Sequence, residues 1–144
     1  MQAAARTLGL ELRILEASGE SGLESAFARL AQLGTDGLVV GSEPFFSSRS
    51  AQLATLALRY GVPTISQSRE FADAGGLASY GGSVTESPRL TGHYAGRILK
   101  GEKPANLPVQ QSTKVELIIN LKTAKTLGIT VPLPLSGRAD ELIE

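Results

Sequence analysis

The residues able to do chemistry in this chain gather in three short stretches. Ser42-Glu43-Pro44-Phe45 and Ser66-Gln67-Ser68-Arg69-Glu70 each combine hydroxyls with a charge, and each follows a short apolar run. The third, AGGLASYGGSV from Ala74 to Val84, sets Ser79 and Tyr80 between the glycine pairs Gly75-Gly76 and Gly81-Gly82. Three chemistries compete for them: nucleophilic attack by Ser79, phosphate binding on bare backbone, and a grip on a ligand that makes and breaks no bond.

Nucleophilic catalysis needs a strained elbow and a base. A glycine two residues before the serine gives the elbow its turn, and that place holds Leu77. The one histidine, His93, sits mid-helix beside Tyr94, where an imidazole is usually a boundary residue. A hydrolase built on Ser79, Glu43 and His93 is therefore the weakest reading. Gly96 to Lys103 has a phosphate-loop look, but Glu102 stands where the lysine belongs and the run closes a helix. Phosphate needs the positive, amino-terminal end of a helix. No G-x-G-x-x-G follows a strand.

Metal chemistry lacks thiols, and Glu43, Glu70, Asp73 and Glu86 lack the close spacing of a calcium loop. No metal and no cofactor are expected. What remains is the grip. Hydroxyls, one arginine and nearby rings suit a small polar molecule such as an amino acid. Phe45 and Phe46, on a loop expected to be polar, either pack across a second lobe or stack on the ligand.

The elements that must position these residues are legible from periodicity. Ala3 to Leu8 is a helix closed by Gly9, without a cap in front of it. Leu10, Leu12 and Ile14 alternate as in a strand. Ser21 and Glu24 have capping-box spacing, and Leu23, Phe27, Leu30 and Leu33 trace a helical face up to Gly34. Gly37 to Gly41 is a short apolar run suited to a strand buried on both faces. A helix reaches Tyr60, VPTIS is the next strand, and Ser87-Pro88 opens a helix whose apolar side is Leu90, Tyr94, Ala95, Ile98 and Leu99. Val115, Leu117 and Ile119 alternate in a strand, Asn120 caps a short helix ending at Gly128, and the tail VPLPLSGRADELIE holds an acidic amphipathic turn or two.

Strand and helix alternate, which predicts an α/β fold with a parallel sheet and flanking helices. In such sheets ligands sit beyond the carboxyl ends of the strands. Ser42, Glu43, Ser66, Ser68 and Arg69 would then share one edge, with the rings of Phe45 and Phe46 nearby. The charge balance, 14 basic against 14 acidic residues, supplies no basic field for nucleic acid. No apolar run is long enough to span a membrane, and the first residues carry no apolar export signal.

Three longer motifs carry a resemblance: GGLASYGG, then ILKGEKPANLPV, then INLKTAKTLGITVP. With them the chain resembles the carboxyl-terminal part of the ABC-transporter substrate-binding proteins of the TrpX-like group. The resemblance implies a periplasmic-binding-protein fold of two lobes, with the solute held in the cleft between them and handed to a membrane permease. It implies an exported or membrane-anchored extracytoplasmic protein. Residues 1–82 would be the second lobe without its first strand, and residues 83–144 the closing segments. Gly75, Gly76, Gly81 and Gly82 would serve as hinge positions beside the cleft, with Ser79 and Tyr80 facing it or bracing it. Proline and phenylalanine at 44 and 45 replace the small polar residues of many relatives, so the solute need not be the same.

The first lobe would lie outside this chain, leaving the 88–99 helix with Leu90, Tyr94 and Ile98 uncovered. Such a patch favours self-association. A cytosolic ligand-sensing module of the same architecture is the alternative, and it would require an output domain.

Overall fold

A computed structural model describes residues 2–83, 86–109 and 114–144, apart from the side chains of Glu20, Glu86 and Ser87. The first helix, α1 (Gln2–Thr7), ends as its composition requires, with Gly9 at φ 68°. Residues 10–18 then run without regular structure into α2 (Gly19–Gln32). The capping box does not form. The helix starts earlier, behind Ser18, and Ser21 instead accepts a bond from the Ser25 hydroxyl through its carbonyl. Glu24 is thereby free to take Arg59 at 2.8 Å.

Leu23, Phe27 and Leu30 recur at helical spacing and are all buried. They meet Leu53, Leu56 and Ala57 of α4 (Ser50–Arg59), with Val40, Val62 and Phe71, in one core cluster. Burying each large side chain contributes about 1.5–3 kcal/mol. Phe27 also stacks on Tyr60, the residue at the end of α4, with ring centroids 6.2 Å apart. Gly61 at φ 65° then turns the chain into the next strand.

Five strands form one sheet in the order of the chain: β1 (Leu38–Val39), β2 (Thr64–Ser66), β3 (Ala78–Gly82), β4 (Val115–Asn120) and β5 (Glu141–Ile143). β1, β2 and β3 are parallel, β4 runs antiparallel to β3, and β5 is parallel to β4. The sheet is thus mostly parallel, as the alternation of elements predicts.

Three expectations are corrected. Leu10, Leu12 and Ile14 join no strand. Their backbone at 11–14 makes no backbone hydrogen bond among the described residues, because alternation marks which side chains share a face and not whether a neighbouring strand is there to pair. β1 is an edge strand and is not buried on both faces: Val40 is buried, yet Val39 is 58% exposed. The tail does hold one helical turn, at Leu133–Ser136, but its acidic end is extended at Glu141–Ile143 and completes the sheet, because β4 offers a free edge that local amphipathicity cannot announce.

β4 and β5 lie beyond residue 82 yet belong to the same sheet as β1–β3. Between β3 and β4 the chain leaves the sheet for α6 (Glu86–Leu99) and a short 3-10 turn at Pro104–Asn106. This excursion is held to itself. Arg97 grips Glu102 through two nitrogens, at 2.7 and 2.5 Å, and the Tyr94 hydroxyl donates to the Pro108 carbonyl at 2.6 Å. Among the described residues α6 packs extensively on no other element, and Ile98 of its apolar face is 42% exposed.

Candidate functional site

The site follows from strand register. Val39 is level with Ile65, Ile65 with Ala78, and Ser66 with Ser79. Val40 therefore sits in line with Ser66 and Ser79, and the chain beyond each strand continues to the same edge. Ser42 and Glu43 follow β1, Ser68 follows β2, and Tyr80 to Gly82 form the last part of β3. The topology brings the predicted hydroxyls and Tyr80 together at the carboxyl edge, the place where open α/β sheets bind ligands.

Within that edge the side chains divide by burial. Ser66 and Ser79 are buried, and the Ser66 hydroxyl accepts the Ser68 backbone N–H at 3.3 Å. Both brace the edge from beneath. Tyr80 is 58% exposed and presents its ring at the surface. Glu43 is exposed before α3 (Pro44–Ser47), a single turn with proline at its start. The two rings of that turn pack on their own lobe. Phe45 and Phe46 meet edge to face at 5.2 Å, both lie against the core cluster, and the Arg49 guanidinium stands 4.2 Å over Phe45.

Arg69 is held by ion pairs. It opens α5 (Arg69–Asp73), and its guanidinium lies 2.8 Å from Glu141 on β5 and 3.2 Å from Asp73 one turn ahead. The hydrogen bond to Glu141 foremost, and the Asp73 carboxylate beside it, raise the pKa of the guanidinium above its ordinary value. Arg69 thus staples α5 to the far edge strand at Glu141, which is level with Ile118 and through it with Ser79. Ser68 is also engaged, donating its hydroxyl to Glu70. That bond, with the Glu70 backbone N–H behind it, keeps the Glu70 carboxyl below the usual carboxylate range.

The four glycines fall at opposite ends of β3. Gly75, at φ 98°, ends the turn after α5, and a Cβ at Gly76 would lie about 2.1 Å from the Phe71 ring. This pair sits at the amino end of β3, away from the ligand edge. Gly81 and Gly82 lie at the carboxyl end. A Cβ on Gly81 would come within 2.0 Å of the Gln67 carbonyl oxygen, so the absent side chain lets β2 and β3 close together there. Around Gly82 a Cβ would meet nothing within 4 Å.

Two residues that sequence reasoning passed over, Glu116 and Glu141, complete the picture together with Asn120, the expected helix cap. Glu116 lies opposite Gly81 on β4, 2.8 Å from Lys114, and that hydrogen bond and then the Ser83 hydroxyl keep its carboxyl below the ordinary range. Asn120 is buried, donates to the Ala72 carbonyl at 3.2 Å and accepts the Thr123 N–H at 3.0 Å, so one side chain caps α7 (Leu121–Thr126) and ties it to α5. Glu141 anchors Arg69 from 72 residues away. Only the cap left a local signal, an asparagine at the end of an apolar strand.

His93 lies on α6 against Tyr94, on the excursion that stands apart from the sheet. The described residues include no group of three His, Cys, Asp or Glu placed to hold a metal ion, and the Glu86 side chain lies outside them. Among the described residues no helix is long and apolar enough to cross a membrane.

With this geometry in view, comparison with known proteins is informative. The profile of the family described as ABC transporter substrate binding protein matches residues 1–143. Among solved structures, a conserved domain protein of Vibrio cholerae superposes with TM-score 0.85 at 25% identity, over 98% of this chain and 47% of its own. An ABC domain from Streptococcus pneumonia in complex with L-Trp gives 0.84 at 25% identity, over 98% and 49%. A ligand-free, open substrate binding protein with adhesive properties from Clostridium difficile shares the fold, at TM-score 0.69 and 21% identity, over 99% and 47%. The chain spans about half the length of these structural relatives. The search of curated proteins gave no match.

Proposed function

The chain belongs to the ABC transporter substrate binding protein family, and from that premise we propose that it forms one jaw of a clamp for a small polar solute. An amino acid is the solute class this reading favours, with aromatic members first. The solute is held in a cleft, without catalysis, and passed to an ABC permease on the extracytoplasmic side of a membrane. The observation that carries the reading is the carboxyl edge itself: Ser66 and Ser79 level with each other, Tyr80 exposed beside them, and Ser42 and Glu43 on the loop after β1. An L-Trp complex of a structural relative supports the solute class.

The chemistry asked of such a jaw is modest. Braced backbone and hydroxyls offer hydrogen bonds to an ammonium or carboxylate, and a ring supplies apolar contact area. Phe45 would contribute as a wall behind Ser42 and Glu43. Arg69 would act indirectly, by fixing α5 and with it Ser68. Hinge motion would fall to Gly81 and Gly82, where the chain leaves the sheet for α6. The uncovered face of α6, with Leu90, Tyr94 and Ile98, would take the second lobe, or a second copy where that lobe is lacking.

A thermal melt against a panel of amino acids tests the reading. A solute at 100 times its Kd adds about 2.7 kcal/mol to the folded state, a shift of several degrees in a domain of this size. L-tryptophan, phenylalanine or tyrosine should raise the melting temperature, and Tyr80→Ala should remove most of that rise while leaving the unliganded melt nearly unchanged. A shift that is indifferent to Tyr80→Ala would move the site away from this edge.

A further inference from the structure

Glu116 holds a carboxylate at the solute edge that no sequence motif marks. β4 runs against β3, so the start of β4 lies beside the carboxyl end of β3, with Glu116 level with Gly81. Along β4 the side chains of Glu116, Ile118 and Asn120 share a face. It is the face that carries α5, because Asn120 reaches the Ala72 carbonyl and Glu141, level with Ile118, takes Arg69 at the head of that helix. Ser79 is also level with Ile118 and belongs to the same face. Ser79 and Ile118 are buried there, and Glu116, one step further out, is partly open.

Acceptors converge at this step. Gly81, directly across from Glu116, has no side chain, and the Gln67 carbonyl oxygen fills the space that its Cβ would take. Directly opposed Cβ positions stand about 5 Å apart, so that oxygen and the Glu116 carboxylate can reach one small cation between them. The Ser83 hydroxyl, next on that face after Gly81, donates to the same carboxylate. The hydrogen bond from Lys114 foremost, then that of Ser83 and, through space, the Arg69 charge favour its ionised form. An alkylammonium carries three N–H donors and no acceptor, and one is already seated here: the Lys114 Nζ lies 2.8 Å from Glu116. The Lys114 side chain is 56% exposed, and an exposed ion pair of this kind is worth little, so its ammonium is exchangeable.

We propose that Glu116 reads the ammonium group of the solute, and that the Lys114 ammonium holds its place until the solute arrives. The inference rests on the reading of this edge as the solute site. It narrows the solute to molecules with a free, charged amine: unblocked amino acids, and not their des-amino or N-acylated counterparts. Lys114 is then an internal competitor, which a solute must displace before its own amine meets the carboxylate.

Titration calorimetry of this chain tests the proposal. The ligands are whichever of L-tryptophan, L-phenylalanine and L-tyrosine raises the melting temperature most, and the matching 3-arylpropionate, which lacks only the amine. The parent should prefer the amino acid by about a hundredfold or more, as sites built around a polar group reject analogues that lack it. Glu116→Gln keeps the shape and can still accept from Ser83; it should bring the two ligands within about threefold of each other. The arylpropionate should lose nothing in that variant, which separates a lost ammonium contact from a disturbed fold. Lys114→Gln should act in the opposite direction, tightening the amino acid about two- to fivefold and leaving the arylpropionate unimproved. If Glu116→Gln lowers the unliganded melt, Lys114→Gln decides alone, since Glu116 is then intact. Equal losses of both ligands in Glu116→Gln, an undiminished preference for the amino acid, or weaker amino-acid binding in Lys114→Gln each overturns this inference and leaves the edge as the solute site. A parent that binds none of the three amino acids overturns the solute reading, and this inference with it.

Discussion

Gly81 and Gly82 are neighbours with opposite surroundings. At Gly81 the strand end presses on the Gln67 carbonyl, and an added methyl group must displace backbone; at Gly82 the same methyl enters open space. Overpacking of this kind costs about 1–3 kcal/mol. Gly81→Ala should therefore lower the unfolding free energy by that amount, read as a lower urea midpoint with an unchanged slope, while Gly82→Ala should fall within about 0.5 kcal/mol of the parent. Equal losses at the two positions would mean that Gly82 is also under constraint. The hydroxyls of this edge were legible in the sequence because each followed a run that could only be a strand. The ion pair of Arg69 was not, since the carboxylate that holds it belongs to a residue 72 positions away and no local pattern connects them. Its position after a strand invited a ligand-contact reading, and its bonds give it the part of a staple as well.

At the scale of elements, α6 is fastened at its end by a side-chain clasp in which Arg97 holds both oxygens of Glu102. Hydrogen bonds from the guanidinium, then desolvation acting against them, leave the Glu102 carboxyl below its ordinary value. The sign follows from the charge. The bonds need the carboxylate, so the stabilisation is complete above the ordinary carboxylate range and is lost as pH falls through the depressed value. A carboxyl-resolved NMR titration should find Glu102 titrating below the exposed carboxylates, and Arg97→Gln should bring it up to join them. An unchanged midpoint in that variant would show that Arg97 is not the cause. Helices were the easiest elements to read, because Leu23, Phe27 and Leu30 repeat at a local period. Strands proved harder where pairing decides. Leu10 to Ile14 alternate and stay outside the sheet, while Glu141–Ile143 look like a helical turn and enter it. Alternation records which side chains would face a core; it does not record whether a neighbour is there to receive the backbone.

The molecule as a whole is a sheet from which one long excursion departs and to which it returns at the same point. β3 and β4 are antiparallel neighbours, with Gly82 opposite Val115, and the Ser83 N–H donates to the Lys114 carbonyl at 3.1 Å. Geometrically, that is the root of a hairpin. Everything between 83 and 114 is an enlarged loop, and its contribution to the sheet is the entropy of closing it. That entropy grows only with the logarithm of length, so about thirty residues cost roughly 2 kcal/mol more to close than a two-residue turn would. Replacing residues 84–113 by Asn-Gly, which supplies the tight turn such strands prefer, should yield a smaller protein that keeps the far-ultraviolet spectrum of the sheet and melts no lower than the parent. Were the shortened chain unfolded, α6 would have to be counted as part of the core. If it folds, the family's clamp is built from a scaffold and an insert that can be exchanged independently, and the sheet becomes a platform onto which other excursions could be grafted at a single seam.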